Sequence, residues 1–262
     1  MQALYTAATG MQASTSHIDV IANNLANQNT SGYKRKRSEF QDLLYVQKNK
    51  VGTQSSDAGA VIPAGLQLGL GVKLQSVYSV TDQGPLEQTN AKFDLAINGR
   101  GFLKITLPDG TEAYTRAGSM QVNGDGLLVT AQGYTIAPGI TVPTNSIDVT
   151  INQSGEVLAK IPGTVTPSNV GQISLIRFQN EAGLESLGNN LLAETVASGT
   201  PTTGIATQDG MGSIMQGYLE NSNVEAVTEL TDMIKAQRAY EMDLKVLTAA
   251  DESMKALNQA SL

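Results

Sequence analysis

The stretch from Ser222 to Leu257, SNVEAVTELTDMIKAQRAYEMDLKVLTAADESMKAL, contains neither glycine nor proline. It opens with Ser222-Asn223-Val224-Glu225, which reads as a capping box: the serine hydroxyl and the glutamate three residues on can each satisfy a free amide of a first helical turn. A long helix is therefore predicted from Ser222. Met233, Ala236, Tyr240, Asp243, Leu247, Ala250, Met254 and Leu257 recur at alternating steps of three and four, while Val227, Leu230, Ile234 and Leu244 lie along a neighbouring stripe. Glu241 with Lys245, and Asp251 with Lys255, are expected to pair across one turn. At about 1.5 Å per residue such a helix is on the order of 50 Å long, and its double apolar stripe requires partners.

The first of those partners stands at the other end of the sequence. Leu4, Met11, Ile18 and Leu25 repeat every seven residues, with Ala8, Thr15 and Ala22 between them, which is again a heptad seam. Rich in Thr, Ser and Asn, interrupted by Gly10, and with Asp19 as the only side-chain charge before Lys34, this segment is a weak helix in isolation. It is expected to order fully only when packed.

The chain has 262 residues, enough for a substantial core plus extensions. A net charge of -7 and a pI near 4.8 argue against a nucleic-acid binder. Without cysteine there are no disulfides or thiolate metal sites, and with His17 as the single histidine there are no multi-histidine sites. The first thirty residues do not carry the basic-then-apolar pattern of a cleaved signal, and no run of eighteen apolar residues occurs. The cytosol, or export without a cleaved signal, is expected, with no membrane insertion.

Every proline, and every glycine except Gly10, lies between Gly32 and Gly217. The first helix should stop within Asn27 to Gly32, where several residues tolerate a left-handed cap. Phe40, Leu43, Leu44 and Tyr45 follow, in a short helix or an extended arm, and then a loop of Gly, Ser and Ala. The middle alternates in period two around turn chemistry: Phe102 to Leu107 before Pro108-Asp109-Gly110, Met120 to Val122 and Leu127 to Thr130 around Asn123-Gly124-Asp125-Gly126, Ile147 to Ile151 before Gln153-Ser154-Gly155, then Ile173 to Phe178 and Leu191 to Val196. This predicts a mostly antiparallel β domain. Ala197 to Ala206 reads as a polar loop.

Few residues suggest chemistry. Ser16 and His17 are neighbours in sequence but face different directions on a helix, so a packing role is expected for His17. Gly99-Arg100-Gly101-Phe102 lacks the third glycine of a dinucleotide fingerprint and precedes a strand, so it reads as a turn. Lys34 to Arg37 could attract phosphate, but in an acidic chain an interface or solvated face is the expectation. Asn23, Asn24, Asn27 and Asn29 crowd a helix end where Lys or Glu would be ordinary. Either buried amides that set helix register or simple fraying accounts for them. A catalytic β domain with oligomerising ends would need converging carboxylates or amides, and no motif asks for it.

Two longer segments change the picture. Ile21-Ala22-Asn23-Asn24-Leu25-Ala26-Asn27-Gln28-Asn29-Thr30-Ser31-Gly32-Tyr33-Lys34 resembles the N-terminal signature of the rod and hook proteins of the bacterial flagellum. Gly217-Tyr218-Leu219-Glu220-Asn221-Ser222-Asn223-Val224 and Met233-Ile234-Lys235-Ala236-Gln237-Arg238-Ala239-Tyr240-Glu241 resemble the matching C-terminal signature. Lys34 to Tyr45, Pro63 to Val72, Leu107-Pro108-Asp109-Gly110 and Tyr114-Thr115-Arg116 are similar to the distal branch of that family, with the large proximal branch, of similar size, as the alternative.

The resemblance implies a non-enzymatic subunit, without cofactors, of a hollow shaft that crosses the periplasm. Implied partners are copies of itself, proximal rod proteins, the hook or hook-rod junction protein, P-ring and L-ring proteins, a rod cap and the type III export apparatus. The expected fold is α+β: long N- and C-terminal helices (1–32 and 222–262) paired in a coiled-coil-like tube domain, an arm (33–93), a central mostly antiparallel β domain (94–196) and a return segment (197–221). Leu4, Met11, Ile18, Asn23, Asn24, Leu25, Asn27, Leu230, Ile234, Tyr240 and Leu247 are the expected polymer-interface residues. The family resemblance further implies a rod-stiffening segment containing Val46, Gly52, Gln54 and Pro63.

Overall fold

A computed structural model describes residues 2–49, 65–164 and 166–260. The chain divides into two compact units, one of Met1–Leu25, Lys36–Tyr78 and Ala226–Leu262, the other of Ala26–Arg35 and Ser79–Glu225.

The first unit holds helix α1 (Gln2–Ala26), helix α2 (Ala226–Ala260) and a two-stranded ribbon. Of the two readings open for residues 36–45, the extended one is observed. Strand Lys36–Asp42 pairs with Val72–Ser79, and Tyr45–Asn49 pairs antiparallel with Leu66–Gly69. Hydrogen bonds from Leu43 N–H to the Gly71 carbonyl and from Leu70 N–H to the Leu44 carbonyl join the two pairs. Gly10 sits inside α1, where glycine costs about 1 kcal/mol relative to alanine; a Cβ there would lie 2.6 Å from Oδ2 of Asp243. Its absence leaves room for the Asp243 carboxylate against α1.

α2 begins at Ala226, four residues past Ser222, so Ser222 is not its N-cap. The Ser222 hydroxyl accepts the Val224 N–H at 3.3 Å, a two-residue turn. Asn223 is already engaged: its Oδ1 accepts the Arg35 N–H at 2.7 Å and its Nδ2 donates to the carbonyls of Val80 and Asp82, both at 3.0 Å. These bonds commit residues 222–225 to the second unit, so the helix starts one turn later. Asp251 and Lys255 pair at 2.7 Å as expected, but Glu241 and Lys245 do not, and Asp232 pairs with Lys235 at 2.8 Å instead.

The second unit is β-rich, and its strand pairings are antiparallel. Strand Phe102–Thr106 is central to its largest sheet, pairing with Glu112–Thr115, Thr135–Ile136 and Ser174–Arg177. Asp148–Ile151, Glu156–Lys160 and Ser168–Gln172 form a three-stranded sheet. Period-two alternation decides the faces: Leu103 and Leu175, register partners, enter the main core with Ile97, Ile136, Ile151 and Ile214, whereas Phe102 and Ile176 point to a second cluster with Tyr114 and Phe178. The Tyr114 and Phe178 rings meet edge to face at 4.8 Å.

Two readings of this unit are corrected. Residues 197–206 are not all loop: Thr202–Ile205 is a strand paired with Ser174–Arg177. Its run, Thr202-Thr203-Gly204-Ile205, is short and polar, so no alternation marks it. Ile147 precedes strand Asp148–Ile151 and is exposed, unlike Val149 and Ile151.

Candidate assembly surface

α1 and α2 meet at Gly10 against Asp243 and at Asn24 against Glu229. Fourteen residues separate Gly10 from Asn24 along α1, and the same number separates Glu229 from Asp243 along α2, in the reverse sense. The helices therefore run antiparallel, in step over two heptads. On α2 the inward line passes through Glu229, Met233, Ala236, Asp243, Leu247, Ala250 and Met254, all buried or half-buried. On α1, Leu4, Met11, Ile18 and Leu25 are half-buried, but the residues buried between them are Ala7 and Ile21. The expected Ala8, Thr15 and Ala22 are exposed, because the inward stripe is offset by one position from the one drawn.

The joint at Asn24 is built like a strand pairing. Its Nδ2 donates to the Lys36 carbonyl at 2.9 Å, its Oδ1 accepts the Lys36 N–H at 2.8 Å, and Nδ2 also donates to Oε2 of Glu229 at 3.1 Å. Asn24 is 1% exposed and Glu229 4%. Two positions along the strand, the Ser38 hydroxyl meets Nδ1 of His17 at 2.8 Å, and two further, Phe40 meets the His17 ring edge-on at 5.9 Å. Ser16 instead donates to the Gln12 carbonyl at 3.0 Å, so Ser16 and His17 diverge and His17 has a packing role.

What this unit lacks is a core. Among the described residues its buried hydrophobics are Ala7, Ile21 and Ala236. Its large apolar side chains face out: Val227 is 72% exposed and Leu44 83%, and Leu230, Ile234, Met242 and Val246 are also exposed. At about 100° per residue, Val227, Leu230 and Ile234 lie on the side of α2 opposite Ala236 and Leu247. Burying an exposed Val, Leu or Ile is worth roughly 1.5 to 3 kcal/mol each. An isolated unit leaves that unused, so this is a surface made to be covered.

The second unit has a different centre. Glu220, 1% exposed in its side chain, receives Lys34 Nζ on Oε1 and Arg116 Nε on Oε2, each at 2.6 Å. Its Oε1 also accepts the Gly84 N–H at 3.0 Å. Arg116 donates onward to the carbonyls of Gly101, Gly99 and Ile97, so the Gly99-Arg100-Gly101 turn, with φ of 111° and 135° at its glycines, aims carbonyls at a buried guanidinium. Burial pushes the Lys34 pKa down, against the upward pull of Glu220. Gly32, at φ 71°, donates its N–H to the Glu220 carbonyl at 2.8 Å, and a Cβ there would lie 2.6 Å from the Ala117 nitrogen. The Lys34 to Arg37 run is therefore not a basic patch, since its first cation is buried and paired.

Three family models match the chain: Flagella basal body rod protein over residues 4–34, Flagellar hook protein FlgE/F/G D1 domain over 96–159, and Flagellar basal body rod FlgEFG protein C-terminal over 215–260. The flagellar basal-body rod protein FlgG of Caulobacter vibrioides is 51% identical over 259 residues, 99% of each chain. The FlgG of Agrobacterium fabrum is 47% identical over 96% of each, and that of Borreliella burgdorferi 44% identical over 97% of this chain and 96% of its own. The chain belongs to the FlgG family of flagellar basal-body rod proteins.

In this FlgG-family chain the residues expected at a polymer interface fall into three groups. Leu230, Ile234 and Tyr240 on α2 and Asn23 on α1 are exposed. Leu4, Met11, Ile18, Leu25 and Leu247 are half-buried, and Asn27 is half-buried with its Oδ1 accepting the Thr30 hydroxyl at 3.3 Å. Asn24 lies inside the subunit, because a carboxamide is the side chain that can bond a strand's N–H and carbonyl together. Val46 is an exposed strand residue, while Gly52, Gln54 and Pro63 lie outside the described residues, as does the side chain of Leu257. Arg116 and Glu220 are not marked by any pattern in the sequence, for a lone Arg and a lone Glu carry no periodic signal. No helix among the described residues is long and apolar enough to cross a membrane, and no group of three or more His, Cys, Asp or Glu among them could hold a metal ion.

Proposed function

We propose that this FlgG-family chain is a structural subunit of the distal flagellar rod, polymerising through its helical unit into the hollow shaft that transmits motor torque to the hook. The observation that carries this is the outward apolar stripe of α2, opposite the line that meets α1. A surface of that kind is hidden by a lattice of like subunits, and contacts that do not close on themselves generate a helical filament. In the polymer the antiparallel helices act as a coiled-coil-like wall and Leu4, Met11, Ile18, Leu25, Leu230, Ile234, Tyr240 and Leu247 pack between or within subunits. The β unit is the part that meets the P-ring and L-ring proteins. The bore serves as an export channel, and the chain itself passes through the type III apparatus unfolded, which suits the low helix propensity of α1. Proximal rod proteins, the hook or hook-rod junction protein and a rod cap are its axial partners, and Val46 to Pro63 sets stiffness.

The test places a carboxylate at Ile18 or Leu247 and follows assembly by sedimentation and electron microscopy. Ile18→Asp and Leu247→Asp are expected to abolish polymers while leaving the β unit's cooperative unfolding unchanged. Normal polymers from either variant would contradict the reading.

A further inference from the structure

α1 has one charged side chain in its 25 residues, Asp19, and it is exposed. Among the described residues it has no ion pair or hydrogen bond within the subunit, although the rest of the helix's surface is neutral. On α2, Arg238 is likewise exposed and without an intrachain partner. The cations on either side of it are accounted for: Lys235 pairs with Asp232 at 2.8 Å, and Lys255 with Asp251 at 2.7 Å. Glu241 lies one turn from both Arg238 and Lys245, pairs with neither among the described residues, and can serve only one of them when solvent is removed. Arg238 has exposed apolar neighbours four residues away on both sides, Ile234 and Met242, on the outward face. Covering that face, as the polymer reading requires, strips water from two cations, Arg238 and Lys245, that have one carboxylate, Glu241, within a turn of both, so one of them needs an anion from outside the helix.

We propose that Arg238 of one copy pairs with Asp19 of a neighbouring copy, the occupant of the outward face of α2 being the outward face of a second subunit's α1. The proposal rests on the polymer reading and adds to it the contact that sets axial register. Apolar stripes slide with little change in energy, whereas one desolvated charge on an otherwise neutral helix fits one place only. A guanidinium suits this position because it holds a carboxylate through two parallel N–H donors and sheds water more readily than an ammonium.

The experiment is a charge exchange in the full chain. Wild type, Asp19→Arg, Arg238→Asp and the double variant D19R/R238D are compared by critical concentration in sedimentation, with far-ultraviolet circular dichroism and unfolding of the monomers as a control on folding. Each single variant is expected to raise the critical concentration by at least about ten-fold, through an unpaired charge or like-charge contact, and the double variant to return it to within about three-fold of wild type. Single variants that assemble normally, or a double variant no better than the worse single, would overturn the pair while wild-type polymers leave the polymer reading standing. A wild-type chain that never polymerises would overturn both.

Discussion

Asn24 donates a hydrogen bond to Glu229 across 205 residues of sequence, while its other polar contacts hold the first residue of strand Lys36–Asp42. One buried carboxamide thus fixes α1, α2 and the ribbon at a common point. The expected outcome of Asn24→Ala is a loss of roughly 1 to 3 kcal/mol in helical-unit packing, since Lys36 and Glu229 lose partners away from water. It should be read as a rise in critical concentration, ten-fold for each 1.4 kcal/mol or so. Asn24→Asp is expected to be worse, because it sets a second carboxylate against Glu229 and removes the donor to Lys36. An Asp variant as good as Ala would show that Glu229 does not read this position.

The cluster around Glu220 makes an unequal pair of predictions. Arg116 joins Glu220 to three carbonyls, so Arg116→Met leaves a buried carboxylate and unpaired carbonyls and should cost about 3 to 5 kcal/mol in urea unfolding. Burial works against the charged form of Lys34, so Lys34→Met removes that desolvation along with the bonds to Glu220 and the Asp82 carbonyl and should cost less. Equal losses would contradict the assignment of Arg116 as the principal partner.

The parts of this architecture that were legible in the sequence are those with a period. The heptad line from Met233 to Met254, the alternation of Leu103, Ile105 and of Val149, Ile151, and the turn at Asn123 to Gly126 all follow from local rules. What the sequence hid was decided by distant neighbours. Ser222 to Glu225 has a helix-start pattern, yet Asn223 is claimed by Arg35, Val80 and Asp82. Strands Leu95–Asn98 and Ser213–Gln216 are each four residues long and find each other across more than a hundred positions, with no turn to announce them. Among the crowded asparagines the two readings divide by position: Asn24 is the buried amide and Asn23 is exposed. Arg116 and Glu220 became visible through motif resemblance and not through chemistry readable from one residue.

Tyr114 supplies a pH test of the β unit. Burial, and then the charge of Glu194, raise its phenol to about 12. A folded value above the unfolded one near 10 means the fold favours the neutral phenol, so its contribution is whole below pH 10 and is lost as pH rises through about 12. At neutral pH Tyr114→Phe should lose only about 0.5 to 1.5 kcal/mol, the hydrogen bond to Glu194. Between pH 10 and 12 the wild type should lose stability faster than the variant, closing or reversing the gap. A gap constant up to pH 12 would contradict a buried phenol.

Residues 46–63 begin at the exposed strand Tyr45–Asn49 of the ribbon. Deleting Val46 to Pro63 is expected to give polymers that bend more easily, measured as a shorter persistence length in electron micrographs. Polymers as straight as wild type would remove this segment from the account of stiffness.

The central claim is that the helical unit completes its burial only among neighbouring copies, whereas the β unit is complete in one chain. Hydrogen exchange of the full chain, dilute and then assembled, tests it most directly. Amides of α1 and α2 should exchange fast in the dilute chain and become strongly protected on assembly, with those of strands such as Phe102–Thr106 and Ser174–Arg177 protected in both. Helices as protected in the dilute monomer as in the polymer would contradict it.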